Sequence, residues 1–288
     1  MRNWLEYIPF ILLARLVRAL PRRTALALGR GLGALGRRLQ PRRVRIARDN
    51  LRHAFPERSE AEREVILGEM FGHLGTGFVE MLRLDLSKEA ADIDRDFVVT
   101  GEDRIRSALA EGRGCILLTG HVGFWEAGNF IFSKLGYPIG VVAKPMRNPL
   151  TDSYFLRMRE IAGGYIINSR KGARRILKSL QQNHLVGILM DQHVGGGQGV
   201  LVPFFGRPAS TTPIIAELAM KYRIPIVPAF CWWLPDNRYH LDIWPEIRLE
   251  GDLSRDRVIE NTALLTRIIE DAVRRDPAQW FWVHRRWR

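Results

Sequence analysis

The stretch Cys115-Ile116-Leu117-Leu118-Thr119-Gly120-His121-Val122-Gly123-Phe124-Trp125-Glu126 decides the reading of the fold. Its first five residues form a strand-like apolar run that empties into a glycine-containing turn. A helix is expected next, over 124–135. The same alternation recurs down the chain. Strand-like runs at Ile139–Ala143, 165–167, 186–190 and 226–232 are separated by helical stretches near 149–162, 172–182 and 212–222. A further run at 239–244 follows a Pro235-Asp236-Asn237 turn, and a longer helix is expected near 254–275. Strand–helix alternation predicts an α/β fold with a central sheet flanked by helices. The hairpin-like pair within 226–244 makes that sheet mixed. Functional groups in such sheets collect beyond the strand C-termini, which directs attention to residues 120–126.

Gly120 and Gly123 permit a tight turn and close approach of another molecule. If His121 precedes the helix and Glu126 lies in its first turn, the carboxylate can reach back to one imidazole nitrogen. That contact fixes the tautomer and leaves the other nitrogen as a general base. The helix N-terminus then offers amides to a developing oxyanion. Spacing alone allows a plainer account, in which His121 is a turn residue and Glu126 an acid favoured by the helix dipole.

Charge is distributed unevenly. The chain has a net charge of +13, and residues 1–60 hold 14 Arg, no Lys and four acids, so about +10 lies there. This stretch reads as helical with breaks at Pro21, Pro41 and Pro56, and a second helical stretch covers 61–83. Arg285, Arg286 and Arg288 close the chain. The basic segment adjoins an apolar N-terminus with Trp4, Tyr7 and Phe10, a combination that suits an anionic bilayer surface better than a nucleic-acid groove. The uninterrupted apolar stretch 7–14 is eight residues, against the roughly 20 of a spanning helix. An interfacial helix with snorkelling arginines is expected. The expected division is therefore a basic helical membrane-associated segment, 1–60, followed by a domain, 61–288, that carries His121 and Glu126.

Other chemistries find little support. Gly31-Leu32-Gly33-Ala34-Leu35-Gly36 matches a dinucleotide fingerprint letter by letter, but no strand precedes it and no acid follows at the ribose distance. Closely packed helices are the better use of those glycines. There is no Gly-x-Ser-x-Gly elbow or Walker A loop, and the seven histidines show no metal-ligand spacing, so no metal is expected. Cys115 and Cys231 lie in apolar runs and read as core residues.

The segment 117–126 resembles the His-x4-Asp/Glu block of the lysophospholipid acyltransferase superfamily. More narrowly, the chain resembles the bacterial lipid A biosynthesis acyltransferases, the lauroyl and myristoyl transferases. Asp49-Asn50-Leu51 with Ala54-Phe55-Pro56 is similar to that family's N-terminal element. Lys144-Pro145-Met146-Arg147-Asn148-Pro149-Leu150 resembles the block after its next strand. Asp191-Gln192, Val202-Pro203-Phe204-Phe205-Gly206 and Thr211-Thr212-Pro213 resemble its third block, and Trp282-Val283-His284-Arg285-Arg286-Trp287 its C-terminal signature. These blocks stand in order over nearly the whole chain.

The resemblance implies a glycerol-phosphate acyltransferase-like fold and an O-acyltransferase at the cytoplasmic face of the inner membrane, peripheral or monotopic, without a cofactor. His121 would deprotonate an acceptor hydroxyl on a lipid A precursor or related phosphorylated glycolipid, oriented by Glu126. The acyl thioester comes from acyl carrier protein or coenzyme A. Arg159, or Arg157 two residues away, would stabilise the oxyanion or bind acceptor phosphate, with Asp191 as the arginine's partner. Arg147 and Asn148 are candidates for the acceptor's polar head, and Gln192 joins the substrate-binding set. An acyl-CoA-dependent lysophospholipid acyltransferase and a membrane thioesterase are the alternatives. The chain departs from the family's pattern at Val200, Leu201 and Val202, where some relatives carry an acid, and in its glycine-rich run 195–199.

Overall fold

The computed structural model describes residues 2–86, 90–161, 163–169 and 172–288, with the backbone alone at 90–92. Four helices come first: α1 (Arg2–Ala19), α2 (Arg22–Leu39), α3 (Pro41–Ala54) and α4 (Glu60–Met81). The breaks expected at Pro21, Pro41 and Pro56 fall at the helix boundaries. Pro41 opens α3, where its missing N–H costs nothing. A capping box starts α4: the Ser59 hydroxyl accepts from the Glu62 amide (3.3 Å), and the Glu62 carboxylate accepts from the Ser59 amide (2.7 Å).

The α/β part then runs α5 (Ala90–Asp96), β1 (Phe97–Thr100), α6 (Glu102–Leu109), β2 (Cys115–Thr119), α7 (Ala127–Lys134), β3 (Ile139–Ala143), α8 (Pro149–Ile161), β4 (Tyr165–Asn168), α9 (Gly172–Gln181), β5 (Leu185–Leu189), β6 (Val200–Phe204), β7 (Arg207–Thr211), α10 (Ile214–Tyr222), β8 (Ile226–Trp233), β9 (Tyr239–Ile243) and α11 (Arg255–Arg275). Seven strands form the main sheet in the order β1-β9-β8-β2-β5-β3-β4. Every pairing is parallel except β8 with β9, so the expected mixed sheet is present and the hairpin supplies its antiparallel step.

Both faces of the sheet are covered. Ile116, Leu118, Phe230 and Trp232 enter one core cluster, while Cys115, Leu117, Cys231 and Trp233 enter the other. A strand buried on both sides has no polar face, so its sequence reads as a continuous apolar run rather than an alternation. Both cysteines sit in this core. The antiparallel pair β6–β7 and the short strand β1 are not among the strand-like runs of the sequence. Pro203 and Pro208 face each other within β6–β7, and proline pairs read as loop in a sequence.

Glycines fix how α2 lies on α4. A Cβ on Gly33 would overlap the Phe71 carbonyl oxygen, and one on Gly75 would overlap that of Gly29. Of the fingerprint-like glycines only Gly33 is used this way, since a Cβ on Gly31 would meet nothing within 4 Å. Among the described residues no helix is long and apolar enough to cross a membrane. Trp4, Leu5, Ile8, Leu12 and Leu16 stand exposed along α1, at the spacing of one helical face.

Candidate active site

Strands β2 and β5 are parallel neighbours in a register that pairs Thr119 with Leu189. The chains leaving them, Gly120-His121 and Met190-Asp191, therefore emerge side by side. Asp191 closes that gap with two hydrogen bonds. Its Oδ2 accepts from the His121 amide (2.9 Å), and its Oδ1 lies 2.8 Å from His121 Nδ1. Gly120 leaves room for this pairing: a Cβ would press to 3.2 Å from the Asp191 carboxyl carbon and 3.1 Å from Ile269, and those side chains would have to give.

A third donor comes from the C-terminus. The indole Nε1 of Trp280 donates to Asp191 Oδ2 at 2.7 Å. The segment around Trp280 is placed by its own backbone pairing, since the Phe281 amide donates to the His121 carbonyl (3.1 Å) and Val122 bridges Trp280. Asp191 is only 2% exposed. Burial by itself pushes its carboxyl up, but the His121 imidazole and the donors from His121 and Trp280 outweigh it and hold the group at about 2. A carboxylate ionised at neutral pH thus faces Nδ1 and favours the tautomer with its proton there. The opposite nitrogen, Nε2, lies 3.1 Å from the Gln192 amide nitrogen. The imidazole clusters with Trp125 and Phe281, whose ring centroids lie 5.1 and 5.8 Å away and 6.1 Å from each other.

Glu126 takes a different partner from the one expected. It occupies the residue before α7, and its carboxylate receives Arg159 of α8 in a two-pronged pair, Nη2 to Oε1 at 2.6 Å and Nε to Oε2 at 3.0 Å. The expected contacts are therefore exchanged: the imidazole's carboxylate is Asp191, and the arginine's carboxylate is Glu126. The physical reason is the turn. Gly123 adopts φ +60° and the Phe124 amide donates to the Cys231 carbonyl (2.7 Å), pinning residues 122–124 to the end of β8 before α7 begins. Glu126 then stands beside α8, while Asp191 leaves its strand next to His121.

Glu126 and Arg159 line a cavity of about 320 Å³ whose remaining wall is mostly apolar, with Leu74, Phe78, Met81 and Phe155 among its residues. Trp125 and Phe281 belong both to that wall and to the aromatic cluster that meets His121. The His121–Asp191 pair therefore adjoins an apolar chamber with an arginine–carboxylate pair at its edge.

The remaining candidates divide. Gln192 meets the imidazole directly. Arg157 and Arg147 are exposed, and neither meets His121. The Asn148 amide donates to the Asn3 carbonyl (2.9 Å) and the Glu6 carboxylate (3.0 Å), so it ties α1 to the start of α8 rather than reaching the histidine. Trp280, Phe281 and Trp125 were not singled out from the sequence, where aromatic residues read as core. Arg286, fully buried, donates to the carbonyls of Gln192 (3.2 Å) and Ser210 (2.7 Å) and thereby supports the Gln192 loop. Burial pushes its guanidinium down to about 10.

A family model described as "Bacterial lipid A biosynthesis acyltransferase" matches residues 1–288. Among individual proteins, the chain is similar to the lipid A biosynthesis lauroyltransferase of Escherichia coli K12, 29% identical over 100% of this chain and 92% of that one. It is 26% identical to a lipid A biosynthesis acyltransferase of Haemophilus influenzae, over 86% of this chain and 76% of that one. A phosphatidylinositol mannoside acyltransferase of Mycobacterium tuberculosis is 25% identical over 76% of this chain and 68% of its own. Among solved structures, the 1-acyl-sn-glycerophosphate acyltransferase PlsC of Thermotoga maritima aligns with 72% of this chain and 88% of its own, at 15% identity and TM-score 0.38. With its whole length matched by the family model, the chain belongs to the bacterial lipid A biosynthesis acyltransferases and is an O-acyltransferase.

Proposed function

We propose that this enzyme moves a fatty acyl chain from an acyl thioester to a hydroxyl of a lipid A precursor or related phosphorylated glycolipid, with His121 as general base. The observation that carries this reading is the buried Asp191 carboxylate on His121 Nδ1, at the edge of an apolar chamber. In the reaction the Gln192 amide yields Nε2 to the acceptor hydroxyl, and Nε2 takes its proton. The hydroxyl oxygen bonds to the acyl carbon, and the carbonyl becomes an oxyanion. As the C–S bond breaks, the imidazolium returns its proton to the departing thiolate. Asp191 stabilises the imidazolium throughout. Arg159, held by Glu126, is the cation available to the oxyanion. The chamber beside it suits the acyl chain.

Acyl carrier protein is the donor this reading favours, because an acidic carrier complements a chain of net charge +13; acyl-coenzyme A is the alternative. The enzyme works at the cytoplasmic face of the inner membrane, held there by α1.

The test is mass spectrometry of lipids from a host lacking its own late acyltransferases, expressing wild type, His121→Ala or Asp191→Asn. Wild type adds one acyl chain, and each variant slows transfer by roughly 10²–10⁴-fold, the usual worth of a positioned base. Purified enzyme given donor without acceptor separates transfer from thioester hydrolysis. An unchanged lipid profile in a folded His121→Ala protein would sink the reading, and equal thiol release with and without acceptor would make the enzyme a thioesterase.

A further inference from the structure

A second recess, of about 550 Å³, opens between α3 and the C-terminal segment. It is lined by Arg45 and His53 from α3, by Arg207 at the start of β7, and by Arg285, Trp287 and Arg288. His121, Asp191, Glu126 and Arg159 take no part in its wall. We propose that this recess binds a phosphate monoester, gripped by the arginines at its rim.

Charge is the first argument. Some arginines elsewhere are paired, among them Arg37 and Arg48 with Glu64, and Arg274 with Glu270. Among the described residues, Arg45, Arg207, Arg285 and Arg288 form no ion pair. The acid in the wall, Asp49, faces Arg52 at 3.3 Å. Four uncompensated guanidinium groups around one hollow repel each other, and an anion relieves that repulsion. A phosphate monoester brings up to two negative charges and three acceptor oxygens, which match the forked donors of arginine.

Preorganisation is the second argument. The His53 ring stands edge-on to Trp287 with centroids 4.9 Å apart, so α3 packs against the C-terminal segment at the wall of the recess. The walls are also held in place before any ligand arrives. The Asn50 amide donates to the carbonyls of Trp282 (2.7 Å) and His284 (2.8 Å), locking α3 to the C-terminal segment. Shape is the third argument: a hollow receives a projecting head group, whereas the surface of a folded acidic protein meets only its rim.

The experiment uses the full chain in detergent. Inorganic phosphate is titrated calorimetrically, and binding is measured to phosphatidylcholine vesicles doped with phosphatidic acid, charge-matched against phosphatidylglycerol. Wild type is expected to bind phosphate and to prefer phosphatidic acid, a monoester, over the diester at equal charge. Arg45→Gln with Arg285→Gln should weaken phosphatidic acid binding by roughly thirtyfold, at about fivefold for each surface charge. Arg174→Gln with Arg175→Gln, which removes the same charge from the exposed side of α9, should change it by less than about twofold.

Displacement of the vesicles by free phosphate assigns the site to the phosphate group alone. Phosphate-resistant, cleft-dependent binding assigns it to the phosphate together with its lipid. Three results overturn the proposal: equal losses from both double variants, no preference for the monoester, or weakened binding of an acidic carrier protein with phosphate binding intact. His121→Ala should bind as wild type does, so failure here is distinct from failure of the acyl-transfer reading.

Discussion

His284 shows how far one imidazole can be driven from its ordinary behaviour by its surroundings. Its Nε2 accepts the His193 amide at 3.1 Å, a contact that requires the neutral ring. Burial is the largest cause pushing it down, from 6.5 to about 4; His121, Arg286 and Arg288 add to this, and Asp191 opposes it. Between those values the unfolded chain binds a proton that the folded chain refuses, so stability falls as pH drops from about 6.5 toward about 4. Asp191 acts lower down. Held at about 2 against an ordinary 3.8, its contribution is complete above 3.8 and is lost only as pH falls toward 2. Denaturant midpoints measured across this range should decline below pH 6.5 in wild type, and His284→Gln, which keeps an acceptor and cannot titrate, should flatten the decline. Identical slopes in the two proteins would place the acid sensitivity elsewhere. The same contacts show what a sequence conceals. His121 was legible because it follows a strand at a glycine turn, and Asp191 because it follows another. Their pairing was not, because it depends on β2 lying beside β5, a neighbour relation that no local pattern encodes. Trp280 was hidden for a different reason: its ring packs in the core like any aromatic, and only its N–H serves the site.

At the scale of elements, α2 and α4 owe their closeness to positions without side chains. Gly33 and Gly75 let the two backbones approach until a methyl group has no room, while a Cβ on Gly29 would stand 2.9 Å from the Gly75 carbonyl oxygen. Gly33→Ala should therefore force the helices apart and cost about 3 kcal/mol, at the upper end of ordinary overpacking. Gly31→Ala points into open space, and should gain roughly 0.5–1 kcal/mol from helix propensity alone. Thermal unfolding of both variants in the same detergent checks the contrast; equal shifts would mean that propensity, not packing, governs α2. The expectation of packed helices rested on composition and on the lack of a preceding strand. Which glycine touches which carbonyl was beyond it, since the register of two helices is set by their mutual packing. Element boundaries are more readable, because Pro21, Pro41 and Pro56 cannot continue a helix ladder, whereas Pro203 and Pro208 make β6 and β7 read as loop through the same lack of a donor.

Taken whole, the molecule combines an excess of positive charge with one apolar ridge. Leu5 is 72% and Leu12 57% exposed on α1, an arrangement that water penalises and a bilayer interface rewards. About +10 of the net charge lies in the first 60 residues, so the ridge and the basic helices belong to one end of the chain. Under the proposed attachment to anionic lipid, two forces act together, and they separate by their response to salt. Leu5→Gln with Leu12→Gln removes apolar area worth at least about 1.5 kcal/mol per side chain when fully buried, so vesicle affinity should fall by roughly a hundredfold at any ionic strength. Raising salt should weaken wild type progressively, because charges further apart than the Debye length, about 8 Å at physiological strength, no longer attract. Some affinity should survive, carried by the ridge. Vesicle flotation across a salt series measures both effects in one experiment. Complete release of wild type by salt, with the leucine variant indistinguishable from it, would reduce attachment to charge alone and leave the exposed leucines of α1 without a membrane role.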